Sequence, residues 1–213
     1  VGGLGGSCAP KGAVLGENSA GYQRGLVAGA GKYRLHHGGG LTVVVNAMVP
    51  GALNGVVWQL DGRIMLAPQQ NTSVLDITGW SQFLIEGAGY IDGNRNQQSG
   101  GWPLALSGIT SNVKGTVGWS TMNDAAGNPV EKVPPHSLYS DNPVGVYDGI
   151  ISGITIENVY NWPINLAGME RVTLFKVTMR KSGSSPQLFH TSLDCWVINC
   201  HIYTILDAAL VFY

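Results

Sequence analysis

From Leu41 onward the apolar residues come in short runs: Leu41 to Val45, Val56 to Leu60, Ile64 to Leu66, Val74 to Ile77 and Phe83 to Ile85. Each run is 3–5 residues long, rich in Val and Ile, and bounded by Gly, Asn, Pro or Ser. Short β-branched runs punctuated by turn formers predict strands, because branched side chains suit a pleated surface and the punctuating residues suit tight turns. No helical stripe runs beyond about two turns, so the strands are not joined by helices as in a doubly wound sheet. The one helix expected is short, over residues 19–30, covering one end of the core.

The runs recur. Leu60-Asp61-Gly62 returns as Ile85-Glu86-Gly87, 25 residues on. Ile154-Thr155-Ile156-Glu157-Asn158-Val159 matches Val172-Thr173-Leu174-Phe175-Lys176-Val177 and then Trp196-Val197-Ile198-Asn199-Cys200-His201, in steps of 18 and 24. A period of about 20–25 residues with two or three strands per unit is one coil of a β-solenoid, whose apolar face is buried only by stacking on its neighbours. The fold expected is therefore an all-β, right-handed parallel β-helix. A sandwich of antiparallel hairpins is the alternative, since Asn54-Gly55, Asp61-Gly62 and Asp92-Gly93 are hairpin-type dipeptides. Residues 1–40 read as a Gly-rich cap or linker and 41–213 as the β-helix. Between Trp119 and Asp148 the repeat vanishes amid Pro129, Pro134, Pro135 and Pro143, so about 119–148 reads as a long insertion from one coil. The chain opens Val-Gly-Gly without Met, and its final run, Leu210 to Phe212, has no polar cap behind it. Both features point to a fragment of a longer β-helix.

Composition narrows the partners. Charged residues are 12 % of the chain and the net charge is -1, with no basic stripe, which argues against nucleic acid. An apolar content of 44 % excludes a disordered chain. No stretch reaches the ~18 uninterrupted apolar residues of a membrane helix. Cys195 and Cys200 read as small buried hydrophobes on opposite faces of a strand, and with Cys8 they lack the spacing of a zinc site. The adjacent His36 and His37 diverge in any strand or loop and have no third ligand nearby, so no metal or cofactor is expected.

Three segments resemble a known superfamily. Trp58-Gln59-Leu60-Asp61-Gly62-Arg63-Ile64-Met65-Leu66-Ala67-Pro68 and Phe83-Leu84-Ile85-Glu86-Gly87-Ala88-Gly89-Tyr90-Ile91-Asp92-Gly93-Asn94 are similar to early coils of the polygalacturonase-like, or pectin lyase-like, β-helices. Ser185-Pro186-Gln187-Leu188-Phe189-His190 with the later Cys195 resembles a third motif. The closing Asp207 to Tyr213 looks more like phage tailspikes and capsule depolymerases. The resemblance implies a protein that binds and degrades a bacterial surface polysaccharide, a glycoside hydrolase or polysaccharide lyase on a virion tail or secreted, and a homotrimer. A secreted polygalacturonase or a non-catalytic receptor-binding spike are the other readings it allows.

Carried over by that resemblance, Asp207 is the catalytic candidate, although Leu206 and Ala208 depart from the family's Asn-Thr-Asp-Gly pattern. Cleavage needs two carboxyl groups, which in a β-helix come from adjacent coils about 4.8 Å apart. Asp148 and Asp194 are the open second carboxylates. In the alignment above, Trp162 and Arg180 fall six positions after Ile156 and Leu174, making a row with Asp207 that suits sugar binding. Tyr160, Trp102 and Trp119 are possible stacking platforms and His190 a further substrate contact. Asp61, Glu86 and Asp92 precede Gly and read as turn residues, as do Asn158 and Asn199.

Overall fold

The computed structural model describes residues 14–15, 19–70, 72–98, 108–111, 146–159, 162–167, 169–183, 186–190, 193–204 and 211–212. Strand β1 (Val14–Leu15) and helix α1 (Ser19–Gly29) precede a series of stacked coils. The first coil holds β2 (Arg34–His37) and β3 (Thr42–Val45); the second, β4 (Val57–Leu60), β5 (Arg63–Leu66) and β6 (Leu75–Asp76). The third holds β7 (Ser81–Glu86), β8 (Tyr90–Asp92) and β9 (Ile109–Ser111); the fourth, β10 (Val146–Ser152), β11 (Thr155–Glu157) and β12 (Ile164–Ala167). The fifth holds β13 (Met169–Phe175), β14 (Thr178–Ser182) and β15 (Gln187–His190); the sixth, β16 (Trp196–Ile198), β17 (His201–Thr204) and β18 (Val211–Phe212).

Equivalent strands of successive coils pair in parallel, giving three sheets. Sheet 1 is β2-β4-β7-β10-β13-β16, sheet 2 is β1-β3-β5-β8-β11-β14-β17 and sheet 3 is β6-β9-β12-β15-β18. The six strands of sheet 1 mark five complete turns between them. This is a parallel β-solenoid, as the repeat predicts, and every pairing among the described strands is parallel, which removes the hairpin sandwich.

The core is a stack of aligned apolar columns. Leu35, Trp58, Ile85, Ile151, Leu174 and Val197 register on one another up sheet 1. Val43, Ile64, Ile91, Ile156, Met179 and Ile202 do so up sheet 2. Most are fully buried, and burying each such side chain stabilises the fold by about 1.5–3 kcal/mol. Residues on either side of each column point outward, because side chains alternate across a strand. Gly149 is required where it stands: a β-carbon there would collide with the Phe83 ring that fills the core one coil below.

The corners after sheets 1 and 2, and the irregularity at the end of β14, share one local code: an outward residue, a left-handed residue, then an inward one. Lys176, Asn199, Asn158 and Lys181 all adopt positive φ, between 52° and 54°. That shared code explains where the sequence alignment goes astray. The segment ending Glu157-Asn158-Val159 turns the corner after sheet 2, whereas Phe175-Lys176-Val177 turns the corner after sheet 1. They look alike but are not equivalent. The observed register sets Leu174 on Ile151 and Val197 on Leu174, both steps of 23 residues, and Ile85 on Trp58, a step of 27.

Two boundaries also move. The first coil begins at Arg34, inside the stretch read as a cap or linker, while α1 occupies nearly the 19–30 span expected of it. The insertion expected at about 119–148 falls largely outside the described residues, and its last three residues are in β10.

Candidate functional site

Because the inward columns are fixed, the outward ones follow. On sheet 2 the residues after the core column are Met65, Asp92, Glu157, Arg180 and Tyr203, in register over five coils. The residues before it are Arg63, Tyr90, Thr155, Thr178 and His201. Two acids on adjacent coils are thus set one above the other, with Arg180 next above Glu157 and Arg63, in the neighbouring column, one coil below Asp92. Although they lie on the outer face, Asp92 and Glu157 are only 4 % and 3 % exposed.

The four charges form one connected cluster. Arg63 Nη1 contacts Asp92 Oδ2 and lies 2.9 Å from Glu157 Oε1, so a single nitrogen bridges the two acids. Arg180 Nε donates to Glu157 Oε2 at 2.7 Å. Asn158 Nδ2 donates to both oxygens of Asp92 at 3.2 Å, and the Asn94 backbone N–H donates to Oδ1 at 2.8 Å. The Tyr90 ring carries the Arg63 guanidinium over its face at 4.6 Å and has Arg180 at 6.0 Å, close enough for cation–π attraction. Burial pushes the Glu157 carboxyl up, but hydrogen bonds and charge from Arg180 and Arg63 outweigh it and hold the group below its ordinary value. Glu157 is therefore ionised at neutral pH. In this pairing it can accept hydrogen bonds or counter a cation, and it cannot serve as a proton donor.

Two coils above Glu157 the same face carries aromatic rings. His201 and Tyr203 stand two residues apart on β17 with ring planes only 7° from parallel and centroids 6.5 Å apart. Tyr203 is 61 % exposed. The outer face of sheet 1 differs: Ile150, Trp196 and Ile198 are exposed there, and Trp196 reaches 62 %.

The chain matches no family model, no curated protein and no solved structure.

The candidates read from the sequence scatter over the solenoid. Asp148 and Asp194 lie on the same side of sheet 1, one coil either side of Arg171. Arg171 Nε donates to Asp148 Oδ1 at 2.5 Å, and this hydrogen bond holds the Asp148 carboxyl below its ordinary value. All three are exposed, so they form a solvated ion-pair group. Arg180 is in β14, within the sheet 2 cluster, whereas Trp162 precedes β12 at the approach to sheet 3. The register therefore separates Trp162 from Arg180 and dissolves the row expected with Asp207. His190 ends β15. Asp207, Tyr160, Trp102 and Trp119 lie outside the described residues.

Asp92 and Glu157 are what the sequence reading missed. Asp92 does brace the turn that follows it, through the Asn94 N–H, but it is also the buried end of β8. The signal is present in the triplets Arg63-Ile64-Met65, Tyr90-Ile91-Asp92, Thr155-Ile156-Glu157, Thr178-Met179-Arg180 and His201-Ile202-Tyr203. Each is an inward aliphatic flanked by two outward residues, and aligning them on the aliphatic recovers both outer columns.

Asp61 is a turn hub as expected, accepting from the Ala88 N–H, Gln59 and His36. His36 and His37 diverge as expected, here within β2: His36 points out to Asp61 and His37 points in. Cys195 and Cys200 are free and pack against the core. They turn inward at the corners before and after β16, not onto opposite faces, and burial pushes both thiols up. Among the described residues no three His, Cys, Asp or Glu side chains gather as a metal site, and no helix is long and apolar enough to cross a membrane.

Proposed function

We propose that this β-helix is a carbohydrate-binding protein that holds an extended polysaccharide along the outer face of sheet 2. The observation that carries the reading is the make-up of that face. Exposed, nearly parallel His201 and Tyr203 rings lie in register with the threonines Thr155 and Thr178 and with the Arg63–Asp92–Glu157–Arg180 cluster. Aromatic faces stack on the apolar face of a sugar ring while hydroxyl and charged groups meet its hydroxyls. Two positive and two negative charges cancel across the cluster, which suits a ligand of many hydroxyls better than a polyanion. On this reading the protein is tailspike-like, works outside the cell on a virion tail or as a secreted protein, and recognises a bacterial surface polysaccharide as a homotrimer.

Cleavage is a second reading, favoured by the two acids that share Arg63 Nη1. Glycosidic cleavage uses a pair of carboxyl groups, one of them protonated. One acid must then take up a proton, which both arginines oppose. A substrate group that draws the Arg180 guanidinium off Glu157 removes much of that opposition.

The test is incubation of the full-length protein with bacterial capsule, O-antigen and pectins, scoring retained polymer, new reducing ends and unsaturated products. Retention of one polymer, weakened at least tenfold by Tyr203→Ala, supports binding on sheet 2; failure to retain any of them overturns the function. New chain ends that vanish in Glu157→Gln support cleavage at this cluster. Loss of the same products in Asp207→Asn, with binding kept, assigns cleavage to Asp207 instead.

A further inference from the structure

Helix α1 is a poor helix on its own sequence. Its 11 residues, Ser19–Gly29, include Gly21, Gly25 and Gly29, and each glycine costs about 1 kcal/mol relative to alanine in a helix interior. A helix this short and glycine-rich holds together only when docked. It docks through Tyr22 and Leu26, four residues apart on one face and both buried. Beneath them is the first coil, whose β2 is the edge strand of sheet 1. Tyr22 also packs near the Trp58 ring, at 6.4 Å between centroids.

The polar tie in this contact is a buried histidine. His37, 3 % exposed, points inward from β2 and takes the Tyr22 hydroxyl on Nδ1, while its Nε2 lies 3.1 Å from the Leu41 carbonyl. A carbonyl only accepts, so Nε2 carries the proton and the neutral ring has Nδ1 free to accept from Tyr22. Adding a second proton turns Nδ1 into a donor aimed at the tyrosine oxygen. Tyr22 must then turn its own proton away into apolar surroundings, and Trp58 adds only a further buried N–H with no partner.

We propose that Tyr22 and His37 form an acid-sensitive latch, which holds α1 over the first coil while His37 is neutral and releases it when His37 is protonated. Burial pushes the His37 imidazole below its ordinary value; the Leu41 carbonyl and the negative charge of Asp61 pull it back only in part. Asp61, in the turn after β4, is the charged group nearby, and it is engaged by His36, Gln59 and the Ala88 N–H on the outer side. From α1 the facing titratable group is Tyr22. The sign is fixed by these facts. The released state binds the proton more readily, so docking is at full strength above the ordinary histidine value of 6.5 and weakens as pH falls from there towards the lowered one. Release uncovers Leu35, Trp58 and the backbone edge of β2, a surface that invites strand pairing with another chain.

The experiment is amide hydrogen exchange of residues 20–30 in the full chain at pH 7.5 and pH 5.0, corrected for the intrinsic pH dependence. Exchange of α1 should rise severalfold at the lower pH, while the amides of β11 and β14 stay protected. In His37→Gln, which keeps an acceptor and a donor but does not titrate, the rise should disappear. An unchanged α1 in the natural protein, or the same rise in His37→Gln, overturns the latch. If the variant does not fold, the imidazole resonance of His37 in the natural protein decides: titration at or above 6.5 overturns the latch, and titration below it supports it.

Discussion

Arg63, Asp92, Glu157 and Arg180 on sheet 2, and Asp148, Glu170 and Arg171 on sheet 1, are the same kinds of side chain stacked on neighbouring coils. On sheet 2 the carboxylates are almost wholly withdrawn from water and share one arginine nitrogen; Asp92 accepts further hydrogen bonds from Asn158 and Asn94, and Glu157 one from Arg180. On sheet 1 Asp148 and Arg171 stand exposed and Glu170 is only half-buried. Coulomb attraction is worth several times more where water is excluded, and an unpaired charge there is correspondingly costly. Charge content alone is therefore a poor guide to importance in this solenoid. Burial decides which ionic row locks coils together and which merely decorates the surface.

Removing a charge should expose the contrast most sharply at Arg63. Arg63→Ala leaves Asp92 and Glu157 facing each other with their shared cation gone, and should lower the free energy of unfolding by about 3–5 kcal/mol, as for other broken buried pairs. Urea denaturation measures it, and a loss below about 1 kcal/mol would place the cluster with the solvated pairs. Glu157→Gln comes next. It removes hydrogen bonds to charged groups worth about 2–3 kcal/mol at neutral pH. Because folding depresses the Glu157 carboxyl from its ordinary value of 4.5, its contribution is present above that value and is lost as pH falls through the folded one. The stability gap between the natural protein and Glu157→Gln should therefore close in acid, and a gap that widens below pH 4 would contradict the assignment.

A smaller effect is expected at the corners. Lys176 holds a positive φ of 54° in register with Gly153 and Asn199, so Lys176→Gly relieves left-handed strain and should stabilise the fold by about 1 kcal/mol. Smallest of all is Arg171→Ala on sheet 1. Its partners are solvated, so the urea midpoint should not move measurably at low or high salt.

How much of this was legible in the residues differs between fold and site. Short β-branched runs and turn formers announce a solenoid because coil geometry repeats those requirements every turn. The left-handed positions held by Asn158 and Asn199 are legible for the same reason. Register was not, because the corners after sheet 1 and sheet 2 use one code and a match between them looks like a match between coils. A slip of one residue then reverses inward and outward positions, and the steps of 18 and 24 missed the true 23. The misread register hid the site. Asp92 before Gly93 fits a turn dipeptide, and nothing local reveals that Glu157, 65 residues later, sits directly above it. That neighbour relation exists only once the chain has wound through a full coil.

The most direct test of the account sets the two outer faces against each other. Hydroxyl-radical footprinting of the full-length protein, with and without the polysaccharide it retains best, reports side-chain shielding on both sheets at once. The account predicts protection of Tyr203, His201 and Tyr90 on sheet 2, with Ile150 and Trp196 on sheet 1 still reactive. Protection of Trp196 and Ile150 with Tyr203 left exposed would contradict it.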